Sequence, residues 1–282
     1  MNKLLKAFIK GLIFFGFILV LAGFSNAGVD PNGGVLNAKG VVASQERELL
    51  IDSVLFMLIV VVPVIILSFA FAWKYRRKNK KSTYAPTWSH STLLESIWWG
   101  IPCVIIVILA ILAWRTSHSL DPYRKIPSKQ KPMVIQAVSL QWKWLFIYPK
   151  QNIATVNYIE FPKDREVEFQ ITSDAPMNAF FIPQLGSQIY SMAGMRTRLH
   201  IIANSYGMYK GFSANYSGDG FSDMKFKVKV TTNDEFNSWV NEVKKSKHKM
   251  DIPEYKLLVK PSENNPATYY SSVQPKLFDR VM

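Results

Sequence analysis

Two long uncharged runs with a strongly basic stretch between them limit what this 282-residue chain can become. From Ser53 to Trp73 there are 21 residues without a charge, and from Ser96 to Trp114 there are 19. At about 1.5 Å of rise per residue these make helices of roughly 31 and 28 Å, enough to cross the hydrocarbon core of a bilayer. Neither run alternates polar with apolar residues, so neither reads as an amphipathic surface helix. Pro63 and Pro102 fall inside the runs, where neighbouring membrane helices can satisfy the backbone groups that proline frees. Trp73, Tyr75, Trp98, Trp99 and Trp114 sit near the ends, the depth that suits rings with one polar edge. Residues 49–114 are therefore assigned to a transmembrane hairpin.

The loop at 74–95 sets the orientation. It carries Lys74, Arg76, Arg77, Lys78, Lys80 and Lys81, and no acid before Glu95. Short basic loops stay in the cytoplasm, so everything after Trp114 is expected on the far face. The competing reading, two core helices of a soluble protein, is disfavoured by that basic loop between two uncharged runs. Residues 1–27 read as a secretory signal: Lys3, Lys6 and Lys10, then the apolar stretch Gly11–Phe24, then Ser25-Asn26-Ala27 with small residues where a signal peptidase reads. An uncleaved signal anchor is the alternative and leaves the orientation unchanged. Residues 28–48, with the turn Pro31-Asn32-Gly33-Gly34, are expected to be an exported, mobile linker.

The formal charge of +14 invites a nucleic-acid reading, which the distribution does not support. Topology explains the bases of the signal and the loop. Residues 115–282 hold 23 Lys+Arg against 15 Asp+Glu, scattered as on a solvated face. Cys103, the one cysteine, lies inside the second run, so the chain can form no internal disulfide and offers no thiolate pair to a metal outside the membrane.

Ser91 or Thr92 can cap the second helix, with Glu95 in its first turn. On these residues alone Glu95 reads best as a capping-box acid at the membrane edge. An acid at a helix mouth can also collect protons. From Met133 onward the pattern becomes short strands: Met133–Leu140, Trp142–Tyr148, Val156–Phe161, Glu166–Ser173, Ala179–Pro183, Thr197–Ile202, Gly207–Ser213 and Lys225–Thr231. Many short strands separated by turn residues indicate a β-sandwich or barrel. A helix follows, started by Asn233 or Asp234, with Phe236, Trp239, Val240 and Val243 as its apolar stripe and Lys244–Lys249 at its end. Residues 250–282 read as short mixed segments broken by prolines. His118, His200 and His248 are too far apart to suggest a metal site, and no Walker loop, GxSxG or CxxC is present. Trp142, Trp144 and Tyr148 read as core or interface anchors.

Three stretches resemble subunit II of the haem–copper respiratory oxidases, from about residue 45 to the C-terminus. Val138-Ser139-Leu140-Gln141-Trp142-Lys143-Trp144 resembles the QW-x-W stretch that opens that family's cupredoxin domain. Met177–Gly186 is similar to its H-S-x-x-V-P-x-L-G stretch, with Asn178 at the histidine position. Gly211–Met224 is similar to its copper loop, G-x-C-S-E-x-C-G-x-x-H-x-x-M. Here the two cysteines fall on Ser213 and Ser217, the glutamate on Asn215 and the second histidine on Phe221, leaving Met224 alone. One thioether cannot hold a copper pair that needs bridging thiolates and imidazoles.

The resemblance therefore implies the quinol-oxidase branch, and Ser187–His200 and Tyr216–Lys227 look closest to the cytochrome o (bo-type) ubiquinol oxidases. It implies a membrane-anchored α+β chain: the hairpin, a cupredoxin-like domain over 115–231, and a C-terminal helix and extension over 232–282. It implies no cofactor in this chain, with haems, copper and the quinol site in subunit I. The partners implied are subunit I and the other subunits, membrane lipid, and ubiquinol through the complex, with neither nucleic acid nor cytochrome c. The place implied is a bacterial inner membrane, with the globular domain in the periplasm. In the family a glutamate at the start of the second helix stands at a proton pathway, and Glu95 matches it within Trp88–Glu95. Members often carry a lipobox cysteine, and Phe24 stands at that position, so no lipid would attach. Two rival readings are a menaquinol-type oxidase subunit and a membrane-anchored binding module without redox work.

Overall fold

A computed structural model describes residues 34–83, 85–128 and 130–282. The expected signal segment 1–27, its expected cleavage site and Phe24 lie outside the described residues. The chain divides into two compact units. One comprises residues 45–121, the other residues up to Ser44 together with Pro122–Met282.

The first unit holds the two long helices, α1 (Val41–Lys74) and α2 (Thr92–Ser119). None of the most apolar window of either helix is buried. Leu55, Ile59, Phe69, Trp98, Ile106 and Trp114 all face outward, an arrangement that only lipid or another apolar partner can satisfy. The helix α1 begins eight residues before the run expected at Leu49, because Val41–Glu48 contains neither glycine nor proline to stop it.

The start of α1 and the residues before it belong to the second unit and are fixed there. The Lys39 N–H donates to the Gln184 carbonyl and the Lys39 carbonyl accepts from the Asn204 N–H, both at 2.7 Å. The Val41 N–H donates to the Ile202 carbonyl at 3.1 Å. Gly40 is required at this contact, since a Cβ there would lie 2.3 Å from the Leu185 carbonyl oxygen. The described part of the expected linker is thus a short 3-10 helix (Val35–Asn37), a pinned stretch at Lys39 and Gly40, and the first turns of α1.

The second unit is a two-sheet sandwich. Its strands are β1 (Met133–Leu140), β2 (Lys143–Tyr148), β3 (Ile153–Val156), β4 (Tyr158–Pro162), β5 (Val167–Ser173), β6 (Asn178–Ile182), β7 (Gly186–Ser191), β8 (Thr197–Ile201), β9 (Gly207–Ser213), β10 (Lys225–Thr231) and β11 (Thr268–Tyr270). One sheet runs β11-β3-β2-β1-β5-β8 and the other β4-β10-β9-β6-β7. Most neighbours are antiparallel, and β1–β5 and β4–β10 are parallel. Alternation drives the inward faces: Ile135, Phe169, Ile171, Phe180, Phe226 and Val228 fill the space between the sheets. This is the cupredoxin-like sandwich expected.

Two details differ from the sequence reading. The strand expected at Val156–Phe161 is two strands in different sheets, β3 and β4. Asn157 turns the chain between them at φ +54°, its side chain accepting from the Trp144 N–H at 2.8 Å and donating to the Asn265 carbonyl at 3.0 Å. The strand β7 lacks a clear alternating signal because Ser187, Gln188 and Tyr190 face outward along an edge. The helix α3 (Asn233–Val243) starts at Asn233, as expected, and Thr232 caps it. Thr232 and Glu235 close a reciprocal capping box.

The C-terminal part is ordered onto the sandwich. Trp239 of α3 packs against Tyr148 and Tyr158, with ring centroids 5.5 and 5.9 Å apart. Beyond it, α4 (Ile252–Leu258), β11 and α5 (Leu277–Val281) build a second apolar cluster with Val138, Leu140, Leu145 and Ile147. The β11–β3 pairing covers what would be an open sheet edge. Lys143 is buried here, its Nζ donating to the Lys260 carbonyl at 2.8 Å and to Ser262 Oγ, and burial lowers its pKa.

Candidate functional site

Two places gather the residues that the sequence singled out. One is the loop end of the sandwich. Asn178 opens β6, Ser213 closes β9, and Met224 stands just before β10. The β6–β9 pairing sets Phe180 opposite Ser213, and the Ser213 N–H donates to the Met224 carbonyl at 3.0 Å. These three side chains are buried.

Ser213 Oγ donates to Asn178 Oδ1 at 2.7 Å, and Asn178 Nδ2 donates to the Pro176 carbonyl at 2.9 Å. Asn215 Nδ2 donates to the Met177 carbonyl at 2.9 Å, tying the two loops together. Met224 belongs to the aromatic core. Ser217 and Phe221 are drawn elsewhere. Ser217 offers its carbonyl to Trp142 Nε1 at 3.0 Å, while its hydroxyl is buried without a partner. Phe221 packs edge-on against the exposed Tyr216 with centroids 5.7 Å apart.

Trp142 is the clasp of this loop. It sits at φ +62°, and its ring covers Gly220 so closely that a Cβ there would come within 2.6 Å of Trp142 Cδ2. Trp144, two residues on, faces the core and is fully buried against Phe180 and Phe226, with centroids at 5.3 and 6.0 Å. The side-chain donors at these six positions are two amides, two hydroxyls and a thioether, with Phe221 giving none. They do not fit a thiolate-bridged copper pair. Among the described residues no three His, Cys, Asp or Glu side chains converge as a metal site.

The other place is the mouth of α2. The Glu95 N–H donates to the Ser91 carbonyl at 3.0 Å, which starts the helix, but the Ser91 side chain makes no cap bond. Glu95 therefore does not close a capping box. Its Oε1 lies 3.0 Å from His90 Nδ1, and His90 Nε2 lies 3.1 Å from Thr92 Oγ1. Imidazole and carboxylate are both substantially exposed. His90 was not foreseen as a partner of Glu95. The available signal was its place five residues before an acid at a helix start, where the chain must bend back over the first turn.

Two further buried acids were not foreseen. Glu166 Oε1 pairs with His200 Nδ1 at 2.8 Å and accepts from the Ile126 N–H at 3.1 Å, fastening the segment that leads into the sandwich. Glu160 is wholly buried. Its Oε2 accepts from the Tyr158 hydroxyl at 2.8 Å, and Lys229 Nζ approaches Oε1 at 3.6 Å. Burial raises the Glu160 pKa, opposed by the Tyr158 hydrogen bond and by Lys229.

Comparison with known proteins identifies the family. Residues 38–116 match the family model described as cytochrome C oxidase subunit II, transmembrane domain, and residues 244–282 match the COX Aromatic Rich Motif. The cytochrome bo(3) ubiquinol oxidase subunit 2 of Pseudomonas aeruginosa is 58% identical over 88% of this chain and 75% of its own length. The chain belongs to the cytochrome bo(3) ubiquinol oxidase subunit 2 family. Its relative from Buchnera aphidicola, of the same name, is 45% identical over 94% of this chain and 93% of its own. Among solved structures, the periplasmic domain of subunit II of cytochrome oxidase of Bradyrhizobium japonicum overlaps 42% of this chain and 96% of that domain, at 21% identity and a TM-score of 0.40. Membership makes the chain a membrane protein with two spans and a subunit of a haem–copper oxidase complex.

Proposed function

We propose that this chain serves a ubiquinol-oxidising, oxygen-reducing complex without carrying a redox centre of its own. The observation that carries the reading is the Ser213–Asn178 hydrogen bond at the loop end of the sandwich. Two positions that would supply a thiolate and an imidazole instead satisfy each other. A domain so built has no copper to receive electrons from cytochrome c, and electrons enter the complex from ubiquinol. The haems, the copper and the quinol site lie in subunit I. The sandwich is a structural cap on the outer face of a bacterial inner membrane, and the hairpin packs against subunit I and lipid. Its net positive charge does not suit cytochrome c, a basic protein.

Glu95 is the residue of this chain that takes part in chemistry. Exposed at the helix mouth beside a second titratable group, it exchanges protons with water and passes them toward subunit I. His90 holds the carboxylate in place. The basic loop puts this mouth on the cytoplasmic face, where protons are taken up. Menaquinol is the second reading for the substrate. The ubiquinol-oxidase names of the relatives at 58% and 45% identity favour ubiquinol.

The test is copper addition to the purified complex. The expected result is no near-infrared absorption of a thiolate-bridged copper pair. Appearance of that band would overturn the reading.

A further inference from the structure

The loop after α1 is more than a run of positive charge. Six of the eight residues from Lys74 to Lys81 are Lys or Arg, all six are exposed, and no acid occurs between Asp52 and Glu95. A topological signal needs only the charges. Here they are mounted on a folded support. Asn79 Nδ2 donates to the Lys74 carbonyl at 2.6 Å and to Ser82 Oγ at 2.9 Å, and Ser82 Oγ also donates to the Lys74 carbonyl. The Asn79 N–H donates to the Arg76 carbonyl at 2.9 Å. The chain thus folds back over the end of α1 and closes its last carbonyl, that of Lys74.

Two of the cations are further held by rings. The Arg76 guanidinium stands 4.4 Å from the Trp73 ring centroid, and Lys74 Nζ stands 5.3 Å from that of Tyr75. These rings end an apolar helix that is exposed along its length, so the fold-back sits at the depth of phospholipid headgroups. Cations clustered beside a membrane helix, with no carboxylate to neutralise them, attract anionic headgroups.

We propose that residues 74–82 form a binding site for the phosphate of an anionic phospholipid. Arg76, Arg77 and Lys78 supply the charge, and Asn79 and Ser82 hold the backbone that presents them. The site rests on the bilayer reading of the two helices, and not on the copper or proton readings. An acidic surface of a neighbouring subunit is the occupant that it excludes.

The test is native mass spectrometry of the intact oxidase complex, released from bilayers of equal parts phosphatidylglycerol and phosphatidylcholine. Each species is scored for both its subunit composition and its bound lipid, so loss of a subunit is read separately from loss of lipid. The wild-type complex is expected to retain phosphatidylglycerol preferentially. The triple variant Arg76→Gln/Arg77→Gln/Lys78→Gln should lose roughly a hundredfold in that preference, at about fivefold per charge. The variant Asn79→Ala/Ser82→Ala keeps all six charges and should lose most of the preference too. Inorganic phosphate should not displace the lipid.

Four outcomes overturn the site. Equal retention of both lipids by the wild type removes it. Full preference in the Asn79→Ala/Ser82→Ala variant means diffuse attraction without a built site. Displacement by inorganic phosphate makes the free anion the ligand. Loss of a neighbouring subunit from the triple variant, with no change in lipid, makes the occupant protein. Release of the wild-type chain from membranes without detergent would instead refute the bilayer reading beneath the proposal.

Discussion

The loop end of the sandwich and the mouth of α2 each hold a hydrogen-bonded pair of side chains, and the two pairs differ in exposure. At the loop end Asn178, Ser213 and Met224 are buried, and the two polar side chains satisfy each other. At the helix mouth Glu95 and His90 are paired yet open to water. A metal site that loses its ligands leaves polar stubs in an apolar core, and these must find hydrogen bonds or destabilise the fold. A proton-exchanging group must stay wet. The first region should therefore answer substitution with stability and the second with rate.

The largest effect belongs to the core beneath the loop end. Trp144→Ala removes a buried ring from contact with Phe146, Phe180 and Phe226 and should cost about 3–5 kcal/mol. It should be seen as a sharp drop in recovered complex, with normal turnover per complex that does assemble. Gly220→Ala should cost about 1–3 kcal/mol, because the new methyl must displace the Trp142 ring. Thermal denaturation of the complex measures it, and an unchanged midpoint would show that the Trp142 clasp yields freely.

The opposite behaviour is expected at the helix mouth. Glu95→Ala should slow ubiquinol oxidation and proton uptake by about tenfold, equivalent to about 1.4 kcal/mol of barrier, with the yield of complex unchanged. Wild-type turnover and uptake in that variant would take Glu95 out of the mechanism. Ser213→Ala leaves the Asn178 carbonyl oxygen without its donor and should cost about 1–3 kcal/mol with no change in turnover. A turnover defect there would break the contrast between the two regions.

The smallest expected effect is a pH slope. Burial raises the Glu160 pKa in the folded chain. A carboxyl raised on folding contributes stability in full below its unfolded pKa, about 4.3. That contribution is lost as pH rises through the folded value. Glu160→Gln should flatten this part of the profile of denaturation midpoint against pH. Parallel profiles would mean that Lys229 and Tyr158 fully offset the burial.

Legibility in the sequence followed how local the controlling physics was. The hairpin was readable because an uncharged run of bilayer length needs no tertiary context. Strands β9 and β10 had the expected limits because their alternation is set by one buried face. Asn157 was not readable as a sheet switch, since its role depends on Trp144 and Asn265, far from it in the chain. The pairing of Asn178 with Ser213 joins residues 35 apart and became visible only once β6 lay beside β9. At the helix mouth the capping-box reading of Glu95 failed because the N-cap is Ser91, which puts Leu94 and not Glu95 at the third helical position, and the carboxylate meets His90 instead.

The central claim is that electrons reach this complex from ubiquinol and not through copper in the sandwich. The most direct measurement is oxygen uptake by the purified complex with ubiquinol and, separately, with reduced cytochrome c. Uptake on ubiquinol alone is the predicted result. Uptake on reduced cytochrome c would contradict the account and would mean that the buried Asn178–Ser213 pair does not mark a lost copper route.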